Sequence, residues 1–147
     1  MNQELIARAA DVIKNGTPEW TERFCTLALI DENGYPTAST VSIARTDGIK
    51  TLAFGASLSD NKAKRASKNN RASVCVNSPN FNITLVGTVE ILTDPQTKQE
   101  TWCDGWEKHW SGADDPNYCV LRFSTERYNL FVDWKSAEGV LYCGTKT

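Results

Sequence analysis

The chain holds a single histidine, and that scarcity excludes much. A nucleophile–histidine–carboxylate triad has only His109 to build on, and no serine or cysteine comes with a recognisable base. The five cysteines (Cys25, Cys75, Cys103, Cys119 and Cys143) are odd in number, scattered and never in a CxxC pair. No cluster of His, Cys and carboxylates has metal-ligand spacing, so no zinc or iron site is expected. No apolar run approaches the roughly 20 residues of a membrane span. Walker and glycine-rich dinucleotide patterns are missing, as are internal repeats and low-complexity segments. A net charge of −2 leaves no basic stripe for a nucleic acid.

What is present is one domain. A chain of 147 residues can bury a real core but has no room for a second. From Met1 to Asn15, residues Leu5, Ile6, Ala9, Val12 and Ile13 fall at helical spacing with charges between them. This predicts an amphipathic helix closed by Gly16, without the apolar centre of a signal peptide. With no secretion signal, the cysteines read as reduced thiols of a cytoplasmic protein, several of them in strands. In that setting the glycosylation patterns at Asn15 and Asn82 are empty.

The rest of the chain is rich in short strands. Arg23 to Ile30 alternates as a strand, Asp31-Glu32-Asn33-Gly34 is a hairpin turn with Asn-Gly supplying positive φ, and Tyr35 to Ala44 is a second strand. A turn at Thr46-Asp47-Gly48 leads to a third over Lys50 to Gly55. After a short basic helix come strands over Ala72 to Val76 and Asn82 to Thr93, the latter marked by Gly87. Asp94-Pro95 opens a helix running to about Trp110, because proline loses nothing at a first helical position. Tyr118 to Phe123 and Tyr128 to Trp134 complete the strands. The order predicts a small, mainly β barrel of antiparallel strands, Greek-key-like, with helices at its ends.

The most informative stretch is Gly55-Ala56-Ser57-Leu58-Ser59-Asp60-Asn61-Lys62, between a strand and the basic helix. A helix start rich in hydroxyl residues points free N–H groups and a partial positive charge at one spot, and Lys62 adds a full charge in the first turn. Those are the parts that hold a phosphate, here one carried by a cofactor. The plainer alternative is that Ser59 or Asp60 caps the helix while Lys62, Lys64, Arg65 and Lys68 form its solvated face.

The succession of hairpins and the segments Gly34-Tyr35-Pro36, Ser57 to Lys62, Asn82-Ile83-Thr84-Leu85-Val86-Gly87, and Trp102 with Asp114-Asp115-Pro116-Asn117-Tyr118 resemble the pyridoxamine 5′-phosphate oxidase-like family. The likeness runs from about Phe24 to Trp134 and is nearest to the short, general-stress-protein branch. It implies a split β-barrel binding FMN, built as a homodimer with flavins at the subunit interface. By the same resemblance Lys62 pairs with the flavin phosphate and Asn61 makes a neighbouring phosphate contact. Gly55 and Ala56 meet the flavin at the end of the third strand, with Ser57 opening the phosphate segment. Ser39, Thr40, Val41 and Ser42, in the stretch reaching Ala44, run along the ribityl chain and ring edge, and Asn82 supplies an amide.

Three positions depart from the family pattern. Ser39 stands where many relatives have an arginine, Ala56 where threonine is common, and Asp60 where serine is common. These changes predict FMN binding weaker by ~1–3 kcal/mol than in the oxidase. Ser57, Ser59, Arg45 and Arg65 are the candidates to compensate. The tail Val140-Leu141-Tyr142-Cys143-Gly144 lacks the basic pair with which the oxidase grips its phosphorylated substrate, so pyridoxamine phosphate oxidation is not expected.

Trp102, Trp106 and Trp110 lie four apart and form one stripe on a helix. The stripe reads either as an aromatic wall over a flavin, with Trp110 nearest, or as packing against the barrel or a dimer partner. Tyr128 to Trp134 is one candidate strand for that partner surface. His109 reads as a surface or capping residue, and Asp114-Asp115-Pro116 as a turn rather than an acid–base pair. Three functions stay open: a flavin-dependent oxidoreductase (FMN, with FAD possible) drawing on a donor such as NAD(P)H, a non-catalytic protein that buffers or senses FMN, or a barrel holding haem or a deazaflavin.

Overall fold

Apolar residues at helical spacing make the N-terminal helix, as expected. In the computed structural model, which describes residues 2–141, α1 (Asn2–Asn15) turns Leu5, Ala9, Val12 and Ile13 into the core. Gly16, at φ +78°, ends the helix, its N–H donating to the Val12 carbonyl at 2.8 Å. Met1 and the segment from Tyr142 onward, including Cys143 and most of the tail considered above, lie outside the described residues.

Eight strands follow among the described residues: β1 (Phe24–Ile30), β2 (Pro36–Ser42), β3 (Arg45–Asp47), β4 (Thr51–Ser57), β5 (Arg71–Ser78), β6 (Phe81–Leu92), β7 (Tyr118–Val132) and β8 (Lys135–Val140). Helix α2 (Asn61–Lys68) joins β4 to β5, and α3 (Pro95–Thr101) lies between β6 and β7. The strands form one antiparallel sheet in the order β2-β1-β5-β6-β7-β4-β3, with β8 added to the end of β7.

That order dictates the shape. β2 and β3 are opposite edges of the sheet, yet only Ile43 and Ala44 separate them in sequence. The sheet must therefore curl until its edges meet. Ile43 N–H donates to the Arg23 carbonyl at 3.2 Å and Ala44 N–H to the Ala53 carbonyl at 2.9 Å. No ladder joins β2 to β3 among the described residues, so the barrel is split along this seam. The mainly β, antiparallel split barrel with flanking helices is the architecture expected from the sequence.

The core follows from period-2 patterning. Cys25, Leu27 and Leu29 of β1 point inward, as do Val74 and Val76 of β5 and Ile83 and Leu85 of β6. Phe54, Leu121 and Phe123 fill the far wall, and α1 closes one mouth against β7 and β8. A second, smaller cluster gathers Ala53, Trp110, Tyr118 and Val120 on the outer side of β4 and β7, with Trp102 and Trp106 packed on it.

Several elements differ from the expectation. Residues Arg45–Asp47 form the edge strand β3 rather than the start of a turn, which instead falls at Gly48, φ +58°. The β1–β2 turn has positive φ only at Gly34, +84°, and not at Asn33. Asp31 shapes it instead: its carboxylate accepts from the N–H groups of Asn33 (2.9 Å) and Tyr35 (3.0 Å) and from the Thr37 hydroxyl (2.8 Å). The bond from Tyr35 N–H, and next that from Thr37, hold the Asp31 carboxyl below the usual carboxylate range.

The two late strands are one. β7 runs unbroken through the polar stretch Ser124–Arg127, because a bulge opposite Val86 and Gly87 absorbs Glu126 as an extra residue. Thr125 is tied down there, its N–H donating to the Lys50 carbonyl at 2.9 Å and its buried hydroxyl to the Ile49 carbonyl. β8 has no counterpart among the strands the sequence predicts. It returns along β7 through a tight turn in which Asp133 and Trp134 both take left-handed φ, +55° and +62°. Neither residue is a turn signal of the Asn-Gly kind.

The third helix is short. α3 stops at Thr101, and Trp102 is already extended at ψ 135°. Arg45 stabilises that end, donating to the carbonyls of Glu100 (3.0 Å) and Trp102 (2.9 Å) that the helix leaves unpaired. Gly105, at φ +94°, then starts a single 3-10 turn over Trp106–Lys108.

Candidate functional site

The seam leaves a cleft of about 360 Å³. On one side stand Thr40, Val41 and Ser42 at the end of β2, and on the other Gly55, Ala56 and Ser57 at the end of β4. Both sets arrive there for one reason: the chain must cross from edge to edge of the sheet just beyond Ser42. β4 runs two residues further than expected, through Ala56 and Ser57, because it pairs with Cys119 and Tyr118 of β7. That extension carries Ser57 to the cleft rim, as the last residue of a strand rather than the first of a loop.

The floor beyond β4 is the start of α2. Leu58 N–H donates to the Asn117 carbonyl (2.7 Å) and Ser59 N–H to the Asn117 side chain (3.1 Å), which turns the chain into the helix. Asp60 is the N-cap, accepting from the Lys62 N–H at 3.4 Å. Its other carboxylate oxygen lies 2.9 Å from the Lys62 ammonium. Burial alone pushes the Asp60 carboxyl upward, but the hydrogen bond and charge of Lys62 outweigh it and hold the group below its ordinary value.

The roof is aromatic. Trp110 is buried and donates its indole N–H to the Ser57 hydroxyl at 3.0 Å. Trp106 lies over Gly55 so closely that a Cβ there would come within 2.7 Å of the ring. Trp102, Trp106, Trp110 and Tyr118 pack with ring centroids 4.9–6.2 Å apart. The stripe expected on one long helix is real as a cluster, but it is assembled from a helix end, a 3-10 turn and the loop beyond. Lys98, buried, braces it with its ammonium 5.4 Å from the Tyr118 ring centroid and 2.9 Å from the Asp115 carbonyl.

Of the residues expected at a cofactor, Thr40, Val41, Ser42, Gly55, Ala56, Ser57, Lys62 and Trp110 line this one cleft. Three do not. Ser39 is exposed on β2 opposite Leu27. Asn61 opens α2 on its other side, in a separate groove with Lys64, Arg65 and Lys68. Asn82 is exposed on β6, its amide donating to Thr84 (3.1 Å) and accepting from the Cys75 thiol (3.2 Å). Conversely, Asp60, Trp106 and His109 line the cleft although they were not placed among the cofactor contacts. Trp106 is signalled in the sequence only by its place in the tryptophan series. Asp115 makes a turn, as expected: its carboxylate accepts from the N–H groups of Ser111 (2.9 Å) and Asn117 (2.8 Å), and these bonds depress its pKa.

Neither candidate compensating arginine lines the cleft: Arg45 is bonded to the carbonyls after α3, and Arg65 faces the groove of Asn61, Lys64 and Lys68, 3.6 Å from Glu32. Among the described residues no group of three His, Cys or carboxylate side chains is placed to hold a metal, and no helix is long and apolar enough to cross a membrane. The four described cysteines are free thiols, with Cys25, Cys75 and Cys119 in strands.

The donor set fits a flavin unevenly. Apolar walls at Val41, Ala56 and Trp110 suit a flat ring, and the hydroxyls of Thr40, Ser42 and Ser57 suit a polyol chain. At the helix end, the single cation lining the cleft among the described residues, Lys62, already has a carboxylate partner.

Comparison with known proteins extends this picture. A family model described as pyridoxamine 5′-phosphate oxidase matches residues 14–131. The fold is similar to that of a protein from Clostridium acetobutylicum related to general stress protein 26 of Bacillus subtilis. That structure is 26% identical, with 96% of this chain and 97% of the other covered at a TM-score of 0.79. A pyridoxamine 5′-phosphate oxidase-related, FMN binding protein from Nostoc punctiforme is 16% identical over 96% of this chain and 97% of its own, at a TM-score of 0.66. A heme binding protein from Mycobacterium smegmatis is 17% identical, covering 92% of this chain but 57% of its own, at 0.68. Comparison with functionally curated proteins returns no match. On the family match, which spans both sides of the seam, the chain belongs to the pyridoxamine 5′-phosphate oxidase family.

Proposed function

We propose that this chain binds a flavin, FMN, in the seam cleft and works as a flavin-dependent oxidoreductase on a small substrate. The observation that carries the reading is the convergence of β2, β4, α2 and the tryptophan cluster on one cleft with an apolar wall, a row of hydroxyls and a lysine. The Nostoc relative described as FMN binding supports the choice of ligand. A bound flavin supplies reversible two-electron chemistry; the chain supplies flat walls, hydroxyl partners and exclusion of water on the Trp110 side. Flavin redox chemistry requires no histidine base, so His109 at the rim carries no proton-transfer role in this reading.

The working form is a homodimer with the cleft completed at the subunit interface. Phe24, Tyr35 and Trp134 are aromatic side chains left exposed for such a surface, at 49%, 68% and 77%. Of the strand segment considered for it, Tyr128, Leu130 and Val132 are spent on the chain's own core, leaving Phe131 and Trp134.

Titration of apo-protein with FMN, FAD and haemin, followed by absorption and fluorescence, tests the ligand, and addition of NAD(P)H tests turnover. One FMN per chain, bleached by the reduced nicotinamide, is the expected result; FMN bound but never reduced would instead favour a buffering or sensing protein. Lys62→Ala weakens FMN by more than about tenfold, because it leaves Asp60 unopposed beside the phosphate. A second reading rests on His109, an imidazole lining the cleft, which is the side chain there that would hold the iron of a haem. A Soret band on adding haemin that is lost in His109→Ala would support it.

A further inference from the structure

We propose that Asp60 sets the ligand preference of the seam cleft: by holding Lys62 it cancels the advantage of a terminal phosphate, so that a flavin ending in a free hydroxyl competes with its phosphorylated form. This rests on the flavin reading and specifies which flavin chemistry the site selects.

The geometry is that of a site already neutralised. The Lys62 ammonium is 2.9 Å from an Asp60 oxygen, and the two side chains are 24% and 34% exposed. Partial burial makes their attraction stronger than at an open surface. A phosphate reaching Lys62 must share it with the carboxylate or displace it. Asp60 also takes up the N-cap position, so the helix start that favours an anion is already facing one. Among the described residues lining the cleft no second lysine or arginine is present to restore the balance. Arg45 is held on the carbonyls of Glu100 and Trp102, and Lys64, Arg65 and Lys68 face the separate groove on the other side of α2.

The hydrogen-bonding chemistry points the same way. An ionised carboxylate only accepts, and a phosphate monoester near neutral pH carries mostly acceptor oxygens and a charge of about −1.5 to −2. The two face each other as like charges. A hydroxyl, by contrast, donates to Asp60 while its oxygen accepts from Lys62, leaving the ion pair intact. The end of the cleft at α2 is therefore matched to a polyol terminus such as that of riboflavin.

The test uses full-length protein freed of ligand, titrated at pH 8 and low salt with riboflavin and with FMN. Wild type, Asp60→Asn and Asp60→Ser are compared; Asn and Ser both cap helices well, so α2 is preserved. The expected result is riboflavin and FMN affinities within about threefold of each other in wild type, with the preference for FMN rising by about tenfold or more in both variants. Adding Lys62→Met to Asp60→Asn removes that gain, since a freed Lys62 is its source. An FMN-to-riboflavin ratio that the Asp60 variants leave unchanged, or a gain that survives Lys62→Met, overturns the proposal while leaving the flavin reading in place. Failure of both flavins to bind any of these proteins overturns both.

Discussion

The indole of Trp106 covers Gly55 so closely that the glycine has no room for a side chain; a Cβ there would lie 2.7–3.2 Å from three ring atoms. The contact fixes the roof of the cleft against its β4 wall, and Trp106 cannot simply swing aside because Trp102 and Trp110 flank it at 5.8 and 5.5 Å. Gly55→Ala is therefore expected to destabilise the protein by ~1–3 kcal/mol and to displace the indole. Urea unfolding with tryptophan emission reads both effects. An unchanged midpoint and unchanged emission would show that the roof is looser than described.

Gly87 is under a harder constraint. A Cβ there would collide with the backbone carbonyl of Ser124, at the bulge where β6 and β7 lose register. The obstacle is backbone in the middle of the sheet. Gly87→Ala is expected to cost more than about 3 kcal/mol, enough to leave little folded protein at 37 °C. Circular dichroism of the purified variant decides the point.

Burial raises the thiols of Cys25 and Cys119 to about 12 and about 11, from 9.0, and the phenol of Tyr118 to about 12, from 10.0. Each folded-state value lies above its unfolded one, so the folded chain holds these protons longer. Their contribution to stability is complete below pH ~9 and is lost as pH rises toward the folded values. The urea midpoint should fall steadily above pH 9. At pH 8, a thiol reagent on native protein should label Cys75 and Cys103 before Cys25 and Cys119, which react only on unfolding. Early labelling of Cys119 would contradict the packing of β7 against β4.

Much of this arrangement is legible in the residues, and the failures are instructive. Asp60-Asn61-Lys62 announces a helix start through capping chemistry, and alternation in Phe24–Ile30 announces a strand; both signals are local and both hold. Asp94-Pro95 likewise starts α3 where expected, but its end does not show, because Arg45, 55 residues away from Glu100, caps the carbonyls there. β7 reads as two strands because the bulge that carries it past Glu126 is made by Gly87 on another strand. The Asp133-Trp134 turn is invisible for a similar reason: Arg8 of α1 holds Asp133 at 2.9 Å, a contact only the finished fold provides. At the site, local sequence identifies Lys62, whereas its pairing with Asp60 and the convergence with Thr40–Ser42 depend on the curl of the sheet.

The most direct test of the central claim, a flavin in the seam cleft, is the indole N–H spectrum of the five tryptophans as flavin is added. Trp110, whose N–H is bonded to Ser57 on the cleft wall, and Trp106, over Gly55, should shift together and saturate at one flavin per chain. Trp20, packed against Phe81 and not among the residues that line the cleft, should not move. Shifts at Trp20 with Trp106 and Trp110 unchanged, or no shift at any tryptophan, would contradict the assignment.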